Sequence, residues 1–325
     1  MKIAGILLII LLLQVMIIIN LNDVEATKIR SCSTQSAPKG VEVYGSNVWV
    51  AIDAGRLQKF NTSNCSVTSY TVNGDPHFID VQSNSKIAFT QHINNKITYY
   101  NASNNTQLDC TNNSINGADD IDSYSFNLQY FTSYNTGKVI KSVKNGNSCT
   151  ITSYTLPESN SNPEGIDKST DISGMFIVDQ RNNKLYKFNV STGQFTLCVD
   201  FKRSKPWFIA VDDSQDFLWV TFMEEKKIRA VGTLSCLVAE TSTTAPNRVY
   251  DVAVIGSYGY AVVTFVDVPK VAKYDYSTDQ WIVDDLSSEC SNCEGFGIDT
   301  IYSSKTYYAA LRSPNGSKLV VGSFT

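Results

Sequence analysis

The stretch Pro163-Glu-Gly-Ile-Asp-Lys-Ser-Thr-Asp-Ile-Ser-Gly-Met-Phe-Ile-Val-Asp-Gln-Arg-Asn-Asn-Lys-Leu-Tyr-Lys-Phe-Asn-Val-Ser-Thr-Gly-Gln-Phe-Thr-Leu-Cys-Val199 decides the fold. Its apolar or alternating runs at 166–167, 175–178, 185–188 and 195–199 are too short for helices and rich in β-formers. Between them lie Asp, Ser, Gly and Asn, which favour turns. The stretch therefore reads as a four-stranded antiparallel meander. Alone it would leave apolar faces wet, so it must stack on copies of itself.

The copies run along the chain. Pro38-Lys-Gly-Val-Glu-Val leads to Val48-Trp-Val-Ala-Ile-Asp and Gly55-Arg-Leu-Gln-Lys-Phe-Asn. Pro76-His-Phe-Ile-Asp-Val leads to Ile87-Ala-Phe-Thr-Gln-His and Asn95-Lys-Ile-Thr-Tyr-Tyr-Asn. Further units start at Gly117, Pro206, Asn247 and Glu294. The starts step by roughly 40 residues, the period of a propeller blade. The reading is all-β: a seven-bladed β-propeller of four-stranded antiparallel blades. The last unit ends at Lys318-Leu-Val-Val-Gly-Ser-Phe-Thr325, after its third strand. Thr27-Lys-Ile-Arg-Ser-Cys-Ser-Thr34 has no unit of its own, so it is expected to supply the missing outer strand and close the ring. Trp49, Phe89 and Trp219 share one second-strand position and are expected to pack between blades.

Residues 1–26 stand apart. Lys2 precedes an apolar run from Ile3 to Leu21, and Val24-Glu-Ala26 resembles a cleavage site, so the segment reads as a secretory signal peptide. The run is also long enough to stay as an N-terminal membrane anchor. Residues 27–325 form one propeller domain in this reading. The protein is expected to be secreted or at the cell surface, and monomeric. Net charge is −4 with no basic run, so no nucleic-acid partner is expected.

Eight cysteines behind an export signal suggest disulfides, with the pairing open. Zinc at Cys290-Ser-Asn-Cys293 would need a second ligand pair, and no histidine lies near in sequence. Sequons occur at Asn61, Asn64, Asn101, Asn104, Asn112, Asn189 and Asn315. They read either as glycan acceptors on surface loops or as by-products of Asn- and Ser-rich turns.

In a propeller, the loops between blades and the turns between second and third strands share one face. That rule collects Lys39, His77, Asp119, Glu164, Trp207, Arg248 and Glu294 from the first kind of loop. It collects Asp53, Gln91, His92, Asp179, Glu224, Asp267 and Arg312 from the second. From this ring, the candidate ligand-binding residues are Asp53, His77, His92, Glu164, Asp179, Trp207, Glu224, Arg248, Asp267 and Arg312. The plain alternative is a wet polar rim. His77 and His92 flank one hairpin and are the candidate metal ligands, with Asp53 or Glu164 as third and Mg or Ca as the ion. No nucleophile elbow, dinucleotide fingerprint or P-loop is found.

The repeat Pro-x-x-Ile-x-Val, Leu-Trp-Val-Thr, Asn-Lys-Ile-x-x-Tyr-Asn resembles the streptogramin lyase (virginiamycin B lyase) family. It is also similar to NHL- and SMP-30-type propellers. The resemblance covers nearly all of the chain after residue 26. It implies the propeller fold. It also implies elimination chemistry on cyclic streptogramins, with a magnesium ion held by two histidines and a glutamate on the channel face. Here both histidines, His77 and His92, fall in the second unit, and a His-Glu-His set spread over later units is not found. Two function classes follow. One is an exported, non-catalytic recognition module binding a glycan, peptide or protein on the channel face. The other is a metal-dependent lyase or hydrolase of the resembled kind.

Overall fold

The computed structural model describes residues 26–240, 244–256, 259–301, 304–314 and 316–324. Most of the segment read as a signal peptide and the sequon residue Asn315 lie outside the described residues. The described residues form seven four-stranded antiparallel sheets, six of them from strands consecutive in sequence. They are called blades one to seven in chain order. The opening stretch is blade four, with strands Pro163–Ser169, Gly174–Asp179, Lys184–Asn189 and Gln194–Asp200. Each expected run falls inside one of these strands.

Blade seven closes the ring as expected. Its strands Glu294–Thr300, Thr306–Arg312 and Lys318–Phe324 are completed by Ala26–Ser33 on the outside. Arg30, Ser31 and Cys32 pair with Val321, Val320 and Leu319. A disulfide from Cys32 to Cys65 then ties this strand to blade one. Two more disulfides staple neighbours: Cys110–Cys149 joins blades two and three, and Cys198–Cys236 joins blades four and five. Cys290–Cys293 closes a local loop, so this pair is a disulfide and not half of a zinc site. No cysteine is left free. Replacing both Cys32 and Cys65 by Ser is expected to cost about 2–4 kcal/mol, because the unfolded chain regains the freedom of the open loop. Amide exchange of Arg30–Cys32 should be slow in the native protein and faster in that variant. Rapid exchange in the native protein would contradict ring closure.

The innermost strand of each blade faces the axis. Adjacent inner strands approach closely because of glycine. A Cβ on Gly165 would lie 2.9 Å from Phe208 Cα of the next blade. An inner-strand aspartate then links the blades. One oxygen of Asp167 accepts the backbone N–H of Val211 in blade five at 2.6 Å, and the other accepts its own Lys168 N–H at 2.7 Å. Asp120 does the same to Ile166 (2.8 Å), Asp251 to Ile298 (3.0 Å) and Asp299 to Val43 (2.7 Å). The last of these joins blade seven to blade one. These carboxylates satisfy inner-strand amides that have no sheet partner on that side.

Candidate functional site at the channel mouth

The two loop sets do share a face, because their residues touch within blades. Lys39 and Asp53 of blade one form an ion pair at 2.7 Å, and Asp75 reaches the same Lys39 at 2.9 Å. Lys205 meets Glu224 at 3.3 Å in blade five. In blade six, Arg248 grips Asp267 with two bonds of 2.7 Å. Arg312 approaches Glu294 at 3.9 Å in blade seven, and its guanidinium lies 5.7 Å from the Phe296 ring centroid. In blade four, Gln180 Nε2 donates to Glu164 Oε1 at 3.3 Å. The rim is thus largely internally paired.

Asp179 is a different case. It is fully buried, and its oxygens accept from Asn162 N (3.0 Å) and Asn182 Nδ2 (2.8 Å). It pins a turn and is not aimed at the mouth. Asp53 is held by Lys39 and is not among the donor atoms that cluster with the imidazoles. Glu164 does approach the cluster, but as a neighbour of its carboxylate.

Blades two and three break the pairing pattern. His77 sits just before the inner strand Ile79–Ser83, held by its backbone to Thr90 O at 2.8 Å. His92 follows the second strand Lys86–Gln91. Their rings lie 5.4 Å apart. Asp119, near the start of Ala118–Ser125, faces both: its Oδ1 is 3.0 Å from His77 Nδ1 and 3.9 Å from His92 Nδ1. Gly117 makes room for this. It has φ of +68°, and a Cβ there would meet His92 Cε1 at 3.3 Å and Asn135 Nδ2 at 2.8 Å. Asn95 Oδ1 holds the Gly117 N–H at 2.7 Å.

The charge states follow from burial and neighbours. Burial pushes the Asp119 carboxyl up, but hydrogen bonding with Glu164 and His77 outweighs it and holds the group below the usual range. Burial and the charge of Asp119 push Glu164 well above its usual range. Of the two, Glu164 is thus the group that holds its proton more tightly and Asp119 the one that gives it up more readily. Burial lowers His92, with Asp119 opposing.

Beside the cluster runs a circuit of aromatic rings across the axis. His77 meets Phe78 (4.8 Å), Phe78 meets Phe208 (5.3 Å), Phe208 meets Tyr250 (5.2 Å), Tyr250 meets Phe296 (4.8 Å), and Phe296 returns to His77 (6.3 Å). Trp207 adds a partly exposed ring 6.3 Å from Tyr250. The collar is not evident from any single blade. Its signal is an aromatic at or next to the position of His77, in Pro76-His-Phe, Pro206-Trp-Phe, Val249-Tyr and Gly295-Phe. Asp119 was placed on this face but not as the partner of the imidazoles. Aligning Ala118-Asp with Pro76-His and Pro163-Glu puts His77, Asp119 and Glu164 in one row over three successive blades.

The sequons sit on turns that explain them. The side-chain oxygens of Asn61, Asn101 and Asn189 accept the N–H two residues on, at 2.9, 3.1 and 2.9 Å. Asn64 and Asn112 do likewise at 2.9 Å. Asn104 accepts from Thr106 Oγ1 at 2.8 Å. Blade six makes the same turn with Asp275 and Ser277 at 2.9 Å, where no sequon exists. The same turn chemistry thus recurs with and without a sequon.

No protein-family model matches this chain, and no curated protein matches it. Solved structures do. A catalytically inactive virginiamycin B lyase from Staphylococcus aureus, crystallised with quinupristin, superposes with a TM-score of 0.78 at 19% identity, over 91% of this chain and 99% of that one. A streptogramin B lyase gives 0.79 at 18%, over 92% and 98%. The Swd1 β-propeller domain of Myceliophteria thermophila gives 0.75 at 9%, over 92% and 100%. At such identities, the likeness to lyase and non-lyase alike carries the architecture and no activity. This chain is, in fold, a seven-bladed β-propeller similar to the streptogramin lyases.

Proposed function

We propose that the protein is an exported recognition module that binds an extracellular glycan, peptide or protein at the channel mouth, without turning it over. The observation that carries this is the aromatic collar with its partly exposed Trp207, Tyr250 and Phe296 beside Arg248 and Arg312. Aromatic and arginine side chains dominate recognition hot spots, since they give large contact area for little lost freedom. Four disulfides fit an oxidising, extracellular setting. No helix among the described residues is long and apolar enough to cross a membrane. Glycan occupancy belongs to the same proposal, at the exposed Asn64, Asn104 and Asn189.

The test is a glycan and peptide array probed with the wild type, Trp207→Ala and Arg248→Ala. Binding should weaken at least tenfold in either variant, with the melting temperature little changed. Full binding by both variants would place recognition elsewhere.

The likeness to solved lyases supports a second reading, a lyase acting on a cyclic streptogramin. Incubation with quinupristin separates the two. The recognition reading expects the cyclic compound to be recovered intact, and a linearised product would replace it with the lyase reading.

A further inference from the structure

We infer that His77, His92 and Asp119 form a site for one divalent transition-metal ion, of the zinc or cobalt class. His77 Nδ1, His92 Nδ1 and Asp119 Oδ1 are each buried, and apart from one another they find no hydrogen-bond partner. Asp119 is only 4% exposed. Buried polar atoms are nearly always satisfied, so an orphan calls for an explanation. Here three orphans belong to three neighbouring residues and point at one another. Elsewhere on this face the carboxylates of Asp53, Glu164, Glu224, Asp267 and Glu294 find partners within their own blades, while Trp207 Nε1 and one oxygen of Asp75 stand unpartnered singly rather than as a group.

The spacing fits one ion. The three residues each offer a donor atom, all within 4.8 Å of one another. Two ligands bonded to zinc at 2.0–2.1 Å in a tetrahedron sit about 3.3 Å apart. The contacts of 3.0 and 3.9 Å to Asp119 Oδ1 bracket that value. An ion among them would draw His92 closer, a movement its partly exposed side chain has room to make.

The donor types choose the metal class. Magnesium and calcium take oxygen ligands, and magnesium keeps most of its water. Imidazole suits zinc, nickel, copper and iron. Two imidazoles with one carboxylate therefore favour a transition ion over the Mg or Ca that the loop residues first suggested. These ligands come from blades two and three. They are not the set over later blades that the family resemblance implies.

The supporting shell is present. Glu164 shares a hydrogen bond with Asp119, and Gln180 in turn donates to Glu164. Gly117 and Asn95 fix the backbone against which His92 packs. Such outer partners orient the ligands and keep their geometry. The His92 side chain is 37% exposed, so the fourth and later positions of the ion would open to solvent and to whatever enters the mouth. Metal binding stands apart from the recognition reading, because the ion alone is the probe.

The experiment uses tag-free protein, freed of metal by chelator and dialysed. All eight cysteines are in disulfides, so no thiolate competes for the ion. Zinc and cobalt are titrated by calorimetry, and cobalt also by its visible absorption. One equivalent is expected, with visible bands of a low-coordinate cobalt site. Magnesium and calcium should bind at least a hundredfold more weakly. His77→Ala and Asp119→Asn should each weaken zinc at least a hundredfold, while Asp53→Asn should leave it unchanged. Circular dichroism and melting of each variant check the fold, and Asp119→Asn preserves side-chain shape if His77→Ala perturbs it. Absence of saturable zinc binding, equal binding by the variants, or preference for magnesium or calcium would each overturn the assignment. In the first case, His77 and Asp119 would form only an imidazole–carboxylate pair.

Discussion

Thermal unfolding should show the protein markedly more stable near pH 5 than near pH 8. The cause lies along the axis, beyond the aromatic collar. A cavity of about 350 Å³ is lined there by Glu42, Asp80, Asp120, Asp122, Asp167, Asp251 and Asp299, with no Lys or Arg among its lining residues. Burial, then the charge of Asp122, raises Asp80 to about 6, against hydrogen bonds from Ser123, Gln129 and Gln82. Burial raises Asp251 to about 7 and Asp299 to about 6. Glu42 and Asp167 move the same way, first by burial and then by neighbouring charge.

The direction of the effect follows by linkage. A carboxyl whose folded pKa lies above its unfolded value binds more protons folded than unfolded. Its stabilisation is complete below about pH 4 and is lost as pH rises through its folded value. Asp80 alone accounts for about 3 kcal/mol over that range. Asp251 and Asp299 keep some contact with channel water, so screening trims their shares. Groups held low, such as Asp109 and Asp213, act oppositely: they lose stability only as pH falls below about 4. The maximum therefore belongs near pH 4–5. Asp80→Asn should flatten the alkaline side of the profile. A flat profile in the wild type from pH 5 to 8 would show that the channel carboxylates ionise freely.

Trp219→Ala should cost about 3–5 kcal/mol, the range for truncating a large buried aromatic. Trp219 is fully buried on the second strand of blade five. Its ring meets Phe217 of its own blade at 5.4 Å, and Tyr274 and Tyr276 of blade six at 5.5 and 6.0 Å. The indole N–H has no partner, so the loss is one of packing alone. Two blades lose contacts at once, and the inner strands that hold the rim limit how far they can collapse. Urea unfolding measures this. Native-like stability with lost ligand binding would move the binding site from the mouth to the blade core.

The propeller itself was legible in the repeat. A short meander exposes apolar faces that only a neighbouring copy can cover, and the period of the copies sets the number of blades. The missing fourth strand of blade seven pointed to Thr27–Thr34 for the same reason: a bare sheet edge needs a partner. The shared face of the two loop sets also followed, since strand alternation alone decides which ends meet. Lys39–Asp53 and Arg248–Asp267 bear it out.

The partners within that face were decided only by the tertiary structure. His77 and His92 flank one hairpin, but Asp119 belongs to the next blade, and its meeting with them depends on the rotation between blades two and three and on the room left by Gly117. The disulfide pairs likewise depended on which outer strands lie side by side. Asp167 closes the first run of the opening stretch, and nothing in that run states that it accepts an amide of the next blade. A strand's own pattern states which face a side chain takes. Only the packing of one sheet against the next states what that side chain finds there.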